Sequence, residues 1–294
     1  MTDTLPKLRL RPDRPVEPRL LDILRQVDVA AHEHGIDYFV GGALARDLIL
    51  LHVFGKDTGR ATRDVDLGIC IDDWAQLDTL KTSLTQGGSF AMQPKIAHRL
   101  IYRQTGDHFG IPLDLLPFGG VEQADGTIAW PPGMEIVMNV AGFAEARASA
   151  FMVEVTSGLA VPVTSLPSLA VLKLIAWRDR HMETPKDATD FLLIARHYAD
   201  AGNFDRLYEM ESDLLQAADF DPELAGTMLL GKDAMAISSA ATAQTIADML
   251  SEPRTRQRLN DQLLQSTLSA GDNVGSARVS AYLEAFHRGW RGRR

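Results

Sequence analysis

The sequence predicts an α+β protein in which a mixed α/β half is followed by an α-helical half. Strand-like alternation of apolar and polar residues is concentrated before residue 165, and helical spacing dominates after it. Thr164 and Ser165, with Pro167 in the turn that follows, form a typical helix start where the character changes. We therefore expect two domains, residues 1–164 and residues 165–294, in the 294-residue chain.

In the first half, helices and strands alternate. Residues 17 to 34 carry apolar side chains at helical spacing. The strand-like "IDYFVGG" ends in a glycine turn, and "ALARDLILLHVFG" continues as a helix. "RDVDLGICI" alternates like a strand, and the helix after it ends at Gly87 and Gly88. Further strands are predicted in "AHRLIYRQ" and "GIPLDLLPF", joined by the hairpin "TGDHFG", and in "FMVEVTSGLAVPV".

In the second half the pattern is helical throughout. The first helices are predicted in "SLPSLAVLKLIAWRDR", "KDATDFLLIARHYADA" and "NFDRLYEMESDLLQAA", and the last in "VSAYLEAFHRGW". The sequence has no internal repeat and no heptad array. We expect this half to form a helical domain that follows the α/β half in the sequence.

Composition restricts the class of protein. The single cysteine, Cys70, excludes a disulfide framework and a cysteine zinc cluster, and its apolar surroundings predict a buried thiol. The amino-terminal segment lacks the apolar core of a signal peptide, and no segment reaches the roughly 18 apolar residues of a membrane span. We therefore expect a cytoplasmic protein that has no membrane partner.

Charge is unevenly distributed along the chain. The net charge of −9 argues against indiscriminate nucleic-acid binding. Basic residues nevertheless cluster near the start, and "HRGWRGRR" closes the sequence. Either end could contact phosphates, or both could be solvated termini.

Two aspartates stand inside an apolar strand pattern. Side chains at i and i+2 of a strand point to the same face, so Asp64 and Asp66 project together while Val65 and Leu67 face the core. Two adjacent carboxylates repel each other unless a cation lies between them. The oxygen donors favour Mg²⁺ or Mn²⁺. An exposed edge-strand pair is the alternative.

A third aspartate, Asp114, lies in the apolar strand "GIPLDLLPF". Desolvation makes an unpaired charge there costly. Three aspartates on strands can hold two metal ions, an arrangement that serves phosphoryl or nucleotidyl transfer. Alternatively, Asp114 forms a salt bridge with Arg99 or Arg103.

Gly41 and Gly42 lie where a strand turns into a helix. Glycine lets the backbone approach a phosphate closely, and a helix start offers free N–H groups to an anion. An ordinary tight turn would look the same. The sequence contains neither G-x-x-x-x-G-K-[ST] nor G-x-G-x-x-G, so it is not a P-loop protein.

The order of these motifs resembles a known superfamily. A strand, a glycine pair, a helix, D-x-D on the next strand and a later strand-borne aspartate are similar to the nucleotidyltransferase fold of the DNA polymerase β superfamily, a mixed sheet flanked by helices. Within it, "FVGGALARDL", "TRDVDLGI" and "LKLIAWRDR…KDATDFLLI" resemble the AbiEii/MenT group of bacterial nucleotidyltransferase toxins, over residues 36 to 200. The first domain would then be catalytic.

The resemblance implies a role for each matching position in the first half. Gly41 and Gly42 match the phosphate turn of the family. Asp64 and Asp66 match its two metal-binding carboxylates. Asp114 matches the third, which would bind metal and help to deprotonate the attacking hydroxyl.

The resemblance also implies nucleotide-binding positions. Arg46 and Lys173 would neutralise triphosphate charge, and Lys173 would belong to the catalytic set. Asp187 matches an acidic position of the helical motif, with Asp190 one turn later. Alternatively, Arg46 is the polar side of an amphipathic helix, Lys173 reaches solvent from an apolar helix, and both aspartates flank a helix start.

The implied activity is metal-dependent transfer of NMP from an NTP to the 3′ end of tRNA or another RNA, by the toxin of a type IV-like toxin–antitoxin system with a repressor-type antitoxin. Transfer to a small molecule or a protein is an alternative, and so is a catalytically silent nucleotide-binding protein. "GGALARD" is also similar to "GG-x-V-R-D" of the tRNA nucleotidyltransferases that add CCA. An extra residue precedes the arginine here, and "RRD" is missing, so this assignment is the lesser one.

Overall fold

A computed structural model describes residues 7–59, 62–106, 109–269 and 275–292, with the side chains of residues 268 and 269 excluded. The chain divides into two compact units. The first contains residues 1–48 and 60–164, and the second contains residues 49–59 and 165–294. The predicted bounds place residues 49–59 with the first half, whereas they pack with the helical unit. As separate domains, 1–164 and 165–294 stay a prediction.

The first unit contains ten strands and four helices within its described residues. Its strands are β1 (Lys7–Arg9), β2 (Asp37–Val40), β3 (Val65–Ile71), β4 (Phe90–Met92), β5 (Arg99–Tyr102), β6 (Ile111–Gly119), β7 (Thr127–Ala129), β8 (Val137–Asn139), β9 (Phe151–Thr156) and β10 (Leu159–Val163). Its helices are α1 (Pro18–Glu33), α2 (Gly42–Asp47), α3 (Trp74–Gln86) and α4 (Phe143–Ala148). All the strands predicted from the sequence are present. Asp107 and His108, in the predicted hairpin before β6, lie outside the described residues.

Eight strands form one mixed sheet in the order β1-β9-β10-β2-β3-β6-β5-β4, and β7 pairs with β8 in a separate hairpin. β3 runs antiparallel to β2 and parallel to β6, and β6 runs antiparallel to β5. The side chains of Val65, Leu67 and Ile69 on β3 are buried in the core, as the alternation predicts. The predicted α+β class, with a mixed sheet, is therefore confirmed.

The D-x-D pair differs in one detail from its prediction. β3 begins at Val65, so Asp64 immediately precedes the strand and only Asp66 lies within it. Both side chains belong to half-buried residues. Cys70, expected to be buried, is also half-buried, and burial raises the pKa of its thiol. The thiol is therefore protonated at neutral pH.

The second unit is helical. It begins with Leu48–Val53, a π-helical turn of which all but Leu48 belongs to this unit. A second π-helical segment spans Ala199–Asn203. The α-helices are α5 (Leu166–Arg180), α6 (Lys186–His197), α7 (Phe204–Glu209), α8 (Ser212–Ala217), α9 (Pro222–Ile237), α10 (Ala240–Ser251), α11 (Pro253–Ser269) and α12 (Ser276–Arg291).

The helical unit is built around close packing of α9 and α12. A Cβ on Gly289 would lie 1.8 Å from the carbonyl oxygen of Met228, so only glycine fits at this crossing. The predicted start of α5 is confirmed, because the Ser165 side chain accepts a hydrogen bond from the Ser168 N–H at 3.4 Å. Across the described ranges, none of the helices combines the length and the apolar character that crossing a bilayer requires.

Candidate active site

The sheet of the first unit aligns two of the predicted aspartates with an arginine. Asp66 on β3 lies directly opposite Asp114 on the parallel strand β6, and Asp114 lies opposite Arg99 on the antiparallel strand β5. Residues in register on neighbouring strands share a face of the sheet. The register therefore places a row of charged side chains across three strands, with Asp64 just ahead of it.

Arg99 is the immediate partner of Asp114. Its Nε donates to Oδ1 at 2.6 Å and its Nη2 donates to Oδ2 at 2.7 Å, a two-point ion pair. The hydrogen bond from Arg99 to Asp114 raises the pKa of the guanidinium, and the charges of Asp66 and Asp64 raise it further. All three carboxylates thus act on one cation. The alternative that Asp114 pairs with Arg99 is confirmed.

An aromatic group flanks this ion pair. Nε2 of His98 lies 4.0 Å from Oδ2 of Asp114, and the His98 ring lies 5.8 Å from the ring of Trp130. Burial lowers the pKa of His98, although the charge of Asp114 acts in the opposite direction. His98 is therefore neutral at pH 7. In the sequence, the signal for His98 is its position beside Arg99, which by itself does not indicate a site residue.

The glycine turn lies against the D-x-D strand. The Gly41 N–H donates to the carbonyl oxygen of Asp66 at 2.8 Å. Gly42 has a φ of +58°, and a Cβ there would lie 1.9 Å from Oδ2 of Asp66. Glycine is therefore required at position 42 both by its backbone conformation and by the adjacent carboxylate. Phosphate binding by this turn stays a prediction.

Arg46 is enclosed within the first unit. It is 1% exposed, and its Nη2 lies 2.6 Å from Oδ1 of Asp47, whose other oxygen accepts a hydrogen bond from the hydroxyl of Thr62. The alternative that Arg46 is the solvent-facing polar side of an amphipathic helix is wrong, since Arg46 and its partner Asp47 are both buried. Contact between Arg46 and a triphosphate stays a prediction.

The remaining predicted residues meet in the second unit. Nζ of Lys173 on α5 lies 2.8 Å from Asp190 and 3.2 Å from Asp187, both on α6. All three side chains are buried, which rules out the alternative that Lys173 reaches solvent. Asp187 lies in the first turn of α6, as expected.

Arg180, which was not among the site residues predicted from the sequence, completes this cluster. Its guanidinium donates to both oxygens of Asp187, at 2.7 and 2.9 Å, while half of its side chain stays exposed. Burial would raise the pKa of Asp187, but the hydrogen bond from Arg180 and the charge of Lys173 lower it below its ordinary value. Asp187 is therefore ionised. The sequence signal that could have indicated Arg180 is its position at the end of α5, a few residues before the start of α6.

The carboxylates of the first unit fit a hard divalent cation in part. Asp64 and Asp66 supply oxygen donors alone, which Mg²⁺ and Mn²⁺ prefer. Both oxygens of Asp114, however, are engaged by Arg99. Within the described residues, no three His, Cys, Asp or Glu side chains are arranged to hold one metal ion. Asp114 would be a third carboxylate ligand only if Arg99 shared or released one of its oxygens.

Comparison with known families decides the class of protein. The family model described as "Nucleotidyl transferase AbiEii toxin, Type IV TA system" matches residues 22–270. The chain belongs to the AbiEii family. The match covers the carboxylates of the first unit and the Lys173 cluster of the second, so it confirms the resemblance seen in the sequence. A comparison of this AbiEii family member with curated proteins found no significant match.

Several solved structures resemble this AbiEii family member at low identity. A nucleotidyltransferase-like antigen from Paracoccidioides brasiliensis is 17% identical, with 71% of this chain and 94% of that chain covered and a TM-score of 0.43. The antibiotic-resistance factor ANT(2″)-Ia is 15% identical, covering 69% and 98%, with a TM-score of 0.38. The CCA-adding enzyme of Thermotoga maritima, in complex with tRNA, is 11% identical, covering 93% and 80%, with a TM-score of 0.27.

Proposed function

We propose that this protein is a metal-dependent nucleotidyltransferase that moves NMP from an NTP to the 3′ end of tRNA, as the toxin of a type IV toxin–antitoxin system. The single observation that carries the proposal is the register of Asp66 with Asp114, beside the glycine turn, in a chain of the AbiEii family. The proposed setting is the cytoplasm, where a repressor-type antitoxin is the expected genetic partner.

The reaction requires little covalent chemistry from the protein. The acceptor hydroxyl oxygen forms a bond to the α-phosphorus, the bond from that phosphorus to the bridging oxygen breaks, and pyrophosphate leaves. Asp64 and Asp66 would hold Mg²⁺ or Mn²⁺, which supplies charge stabilisation to the attacking and leaving oxygens. Gly41 and Gly42 would let the backbone approach the triphosphate.

Asp114 and Arg99 have linked roles in this proposal. The hydroxyl proton passes to Asp114 once a phosphate of the nucleotide draws the Arg99 guanidinium away from that carboxylate. Arg99 then neutralises phosphate charge, a task that its planar fork suits. Arg46 and Lys173 are the further cations of the proposal, with Asp187 and Asp190 orienting Lys173.

A labelling assay tests the proposal. The protein is incubated with each α-³²P-labelled NTP, Mg²⁺ or Mn²⁺, and total RNA, beside Asp66→Asn and a matched Asp72→Asn variant at an exposed position after β3. We expect label on tRNA-sized RNA that Asp66→Asn abolishes and Asp72→Asn retains. Label on RNA in both variants would remove Asp66 from the site. Label only on protein or small molecules would replace the tRNA acceptor.

One observation favours a second candidate, the catalytically silent nucleotide-binding protein. Arg99 already neutralises Asp114, and a silent protein has no need to exchange this cation for a metal. Titration with Mn²⁺, followed by electron paramagnetic resonance, separates the two. Stoichiometric Mn²⁺ binding that Asp64→Asn weakens supports the enzyme. Mn²⁺ binding that Asp64→Asn leaves unchanged, or no Mn²⁺ binding at all, supports the silent protein.

A further inference from the structure

The last two helices reverse the charge of the helical unit. Residues 199–252 contain eleven acidic and two basic residues. Residues 253–294 contain eight arginines, no lysine and three acidic residues. The protein as a whole carries a net charge of −9, so this segment is a local concentration of positive charge.

Five arginines of this segment lie at the start of α11 and at the end of α12, on the second unit. Arg254, Arg256 and Arg258 lie in the first turns of α11, and Arg288 and Arg291 lie in the last turns of α12. Arg256 forms an ion pair with Glu284 that joins the two helices. We call these five residues the arginine surface.

The electrostatics of His287 on α12 agree with the contact between the two helices that the Arg256–Glu284 ion pair makes. Burial lowers the pKa of His287, and the positive charges of Arg256 and Arg291 lower it further. The start of α11 and the end of α12 are therefore close enough for their guanidinium groups to act on one imidazole. The Arg256–Glu284 ion pair therefore holds the start of α11 against the last turns of α12.

Most of this surface keeps its charge available. Arg254, Arg258, Arg288 and Arg291 are exposed. Arg254, Arg258 and Arg291 form no ion pair within the part of the chain that the structure describes. Arg278, by contrast, is held by Asp221 and Glu223 at the start of α9 and does not contribute.

The surface suits phosphates better than a lipid bilayer or a protein. Arginine matches phosphate oxygens with two parallel hydrogen bonds. A membrane-binding helix also needs exposed apolar side chains, and a protein interface needs aromatic or aliphatic anchors. Among the described residues of 253–292, no large apolar side chain is exposed, because Val279, Leu283, Phe286 and Trp290 are buried.

We propose that the arginine surface binds the phosphate backbone of the RNA acceptor. This inference rests on the proposed function, since it names the surface of this chain that holds the acceptor. Its exposed guanidinium groups, on two helices that the Arg256–Glu284 ion pair joins, would neutralise several phosphates independently of base sequence. The surface thus determines affinity for RNA, and the chemistry is left to the carboxylates of the first unit.

The test measures the binding of the protein to fluorescently labelled bulk tRNA, without NTP. Fluorescence anisotropy is recorded at several salt concentrations. The variant Arg254→Gln/Arg258→Gln/Arg291→Gln is compared with Arg9→Gln/Arg11→Gln/Arg14→Gln, which removes the same charge from exposed arginines of the amino-terminal segment. We expect binding to weaken by more than tenfold in the first variant. The slope of the logarithm of the binding constant against the logarithm of the salt concentration should become shallower by roughly 0.7–0.9 per lost phosphate contact. The binding constant of the control variant should change less than about threefold.

Other outcomes overturn the inference. Equal weakening in both variants would show that only total charge matters. Anionic vesicles that compete fully with tRNA would assign the surface to a membrane. A circular dichroism melt of each variant separates misfolding from lost binding. Because lysine keeps the positive charge, at least part of the affinity should be retained in the variant Arg254→Lys/Arg258→Lys/Arg291→Lys.

The inference and the proposed function can fail separately. If the wild-type protein labels no RNA but still binds tRNA through these arginines, the proposed transfer to tRNA fails and the arginine surface stands. If the wild-type protein labels tRNA and the triple variant has an unchanged KM for tRNA, the arginine surface fails and the transfer stands. The expected result is a raised KM with little change in kcat.

Discussion

Gly42 lies directly against the carboxylate of Asp66, so that a Cβ on residue 42 would come within 1.9 Å of Oδ2. The glycine turn is also joined to β3 by the hydrogen bond from the Gly41 N–H to the carbonyl oxygen of Asp66. The turn and the D-x-D strand are therefore one unit, and a change in the turn moves the carboxylate.

Gly42→Ala should disable the site through this contact. The left-handed φ of +58° costs about 1–2 kcal/mol for alanine, and the new Cβ displaces the Asp66 carboxylate. We expect nucleotidyl transfer to fall by more than tenfold and the melting temperature to fall by several degrees. Both are measured on purified protein.

Gly41→Ala is the matched control. Gly41 has a φ of −116°, and a Cβ there would contact the Phe39 ring at 3.4 Å and the Asp66 carbonyl at 3.7 Å. These are ordinary van der Waals distances, so stability should change little. Equal decreases in melting temperature in the two variants would contradict the role assigned to the Gly42–Asp66 contact.

Arg99→Gln should make the first unit dependent on a divalent cation. Asp114 is 7% exposed, and it loses its two-point ion pair in this variant. Because Arg99 is partly exposed, we expect destabilisation of about 1–3 kcal/mol, below the cost of breaking a fully buried pair. Mn²⁺ should restore stability to the variant more than to the wild type in a thermal melt.

Arg103→Gln provides the comparison for Arg99. It removes an arginine from the same stretch of chain, one residue beyond β5, at an exposed position. Its melting temperature and its response to Mn²⁺ should match those of the wild type. A response to Mn²⁺ that is identical in Arg99→Gln and wild type would show that Asp114 binds no metal.

Asp187→Asn should destabilise the helical unit in a pH-dependent way. Removing this carboxylate breaks contacts with Lys173 and Arg180, and we expect a loss of about 3–5 kcal/mol at pH 7. The folded-state pKa of Asp187 lies below its ordinary value of 3.8. Its contribution is therefore complete above pH ~4–5 and is lost as the pH falls through the folded-state pKa.

Urea unfolding between pH 2 and pH 7 measures this effect. The difference in the free energy of unfolding between wild type and Asp187→Asn should decrease as the pH decreases, because the wild-type carboxylate becomes protonated. Asp179→Asn, which removes a partly exposed aspartate at the end of the same helix as Lys173, should keep a small and constant gap. A gap for Asp187→Asn that widens on acidification would refute the assigned ionisation.

Much of the fold was readable from local pattern. Alternation predicted β3 and β6, helical spacing predicted α1, and the serine–proline start predicted α5. Each of these signals depends on residues close together in sequence. They were sufficient to place the D-x-D motif on the correct strand, apart from Asp64, which precedes it.

The contacts of the charged residues were less readable. The sequence left Asp114 with Arg99 or Arg103 as its partner, and the antiparallel register of β5 and β6 selected Arg99. The helix pattern could not show that Arg46 is enclosed, because its ion pair with Asp47 is completed by Thr62 from a loop 15 residues away. Arg180 was missed because its contact with Asp187 depends on the path between two helices.

The sequence by itself determined which residue types stand on which elements: the glycines at a strand-to-helix turn, the aspartates on β3 and β6, and the arginines at the end of the chain. Periodicity and backbone preference are local, and they act before any tertiary contact forms. Only the tertiary structure decided which charges neutralise one another, since strand register and helix packing set the distance between ionised groups, and burial sets the cost of leaving any of them unpaired.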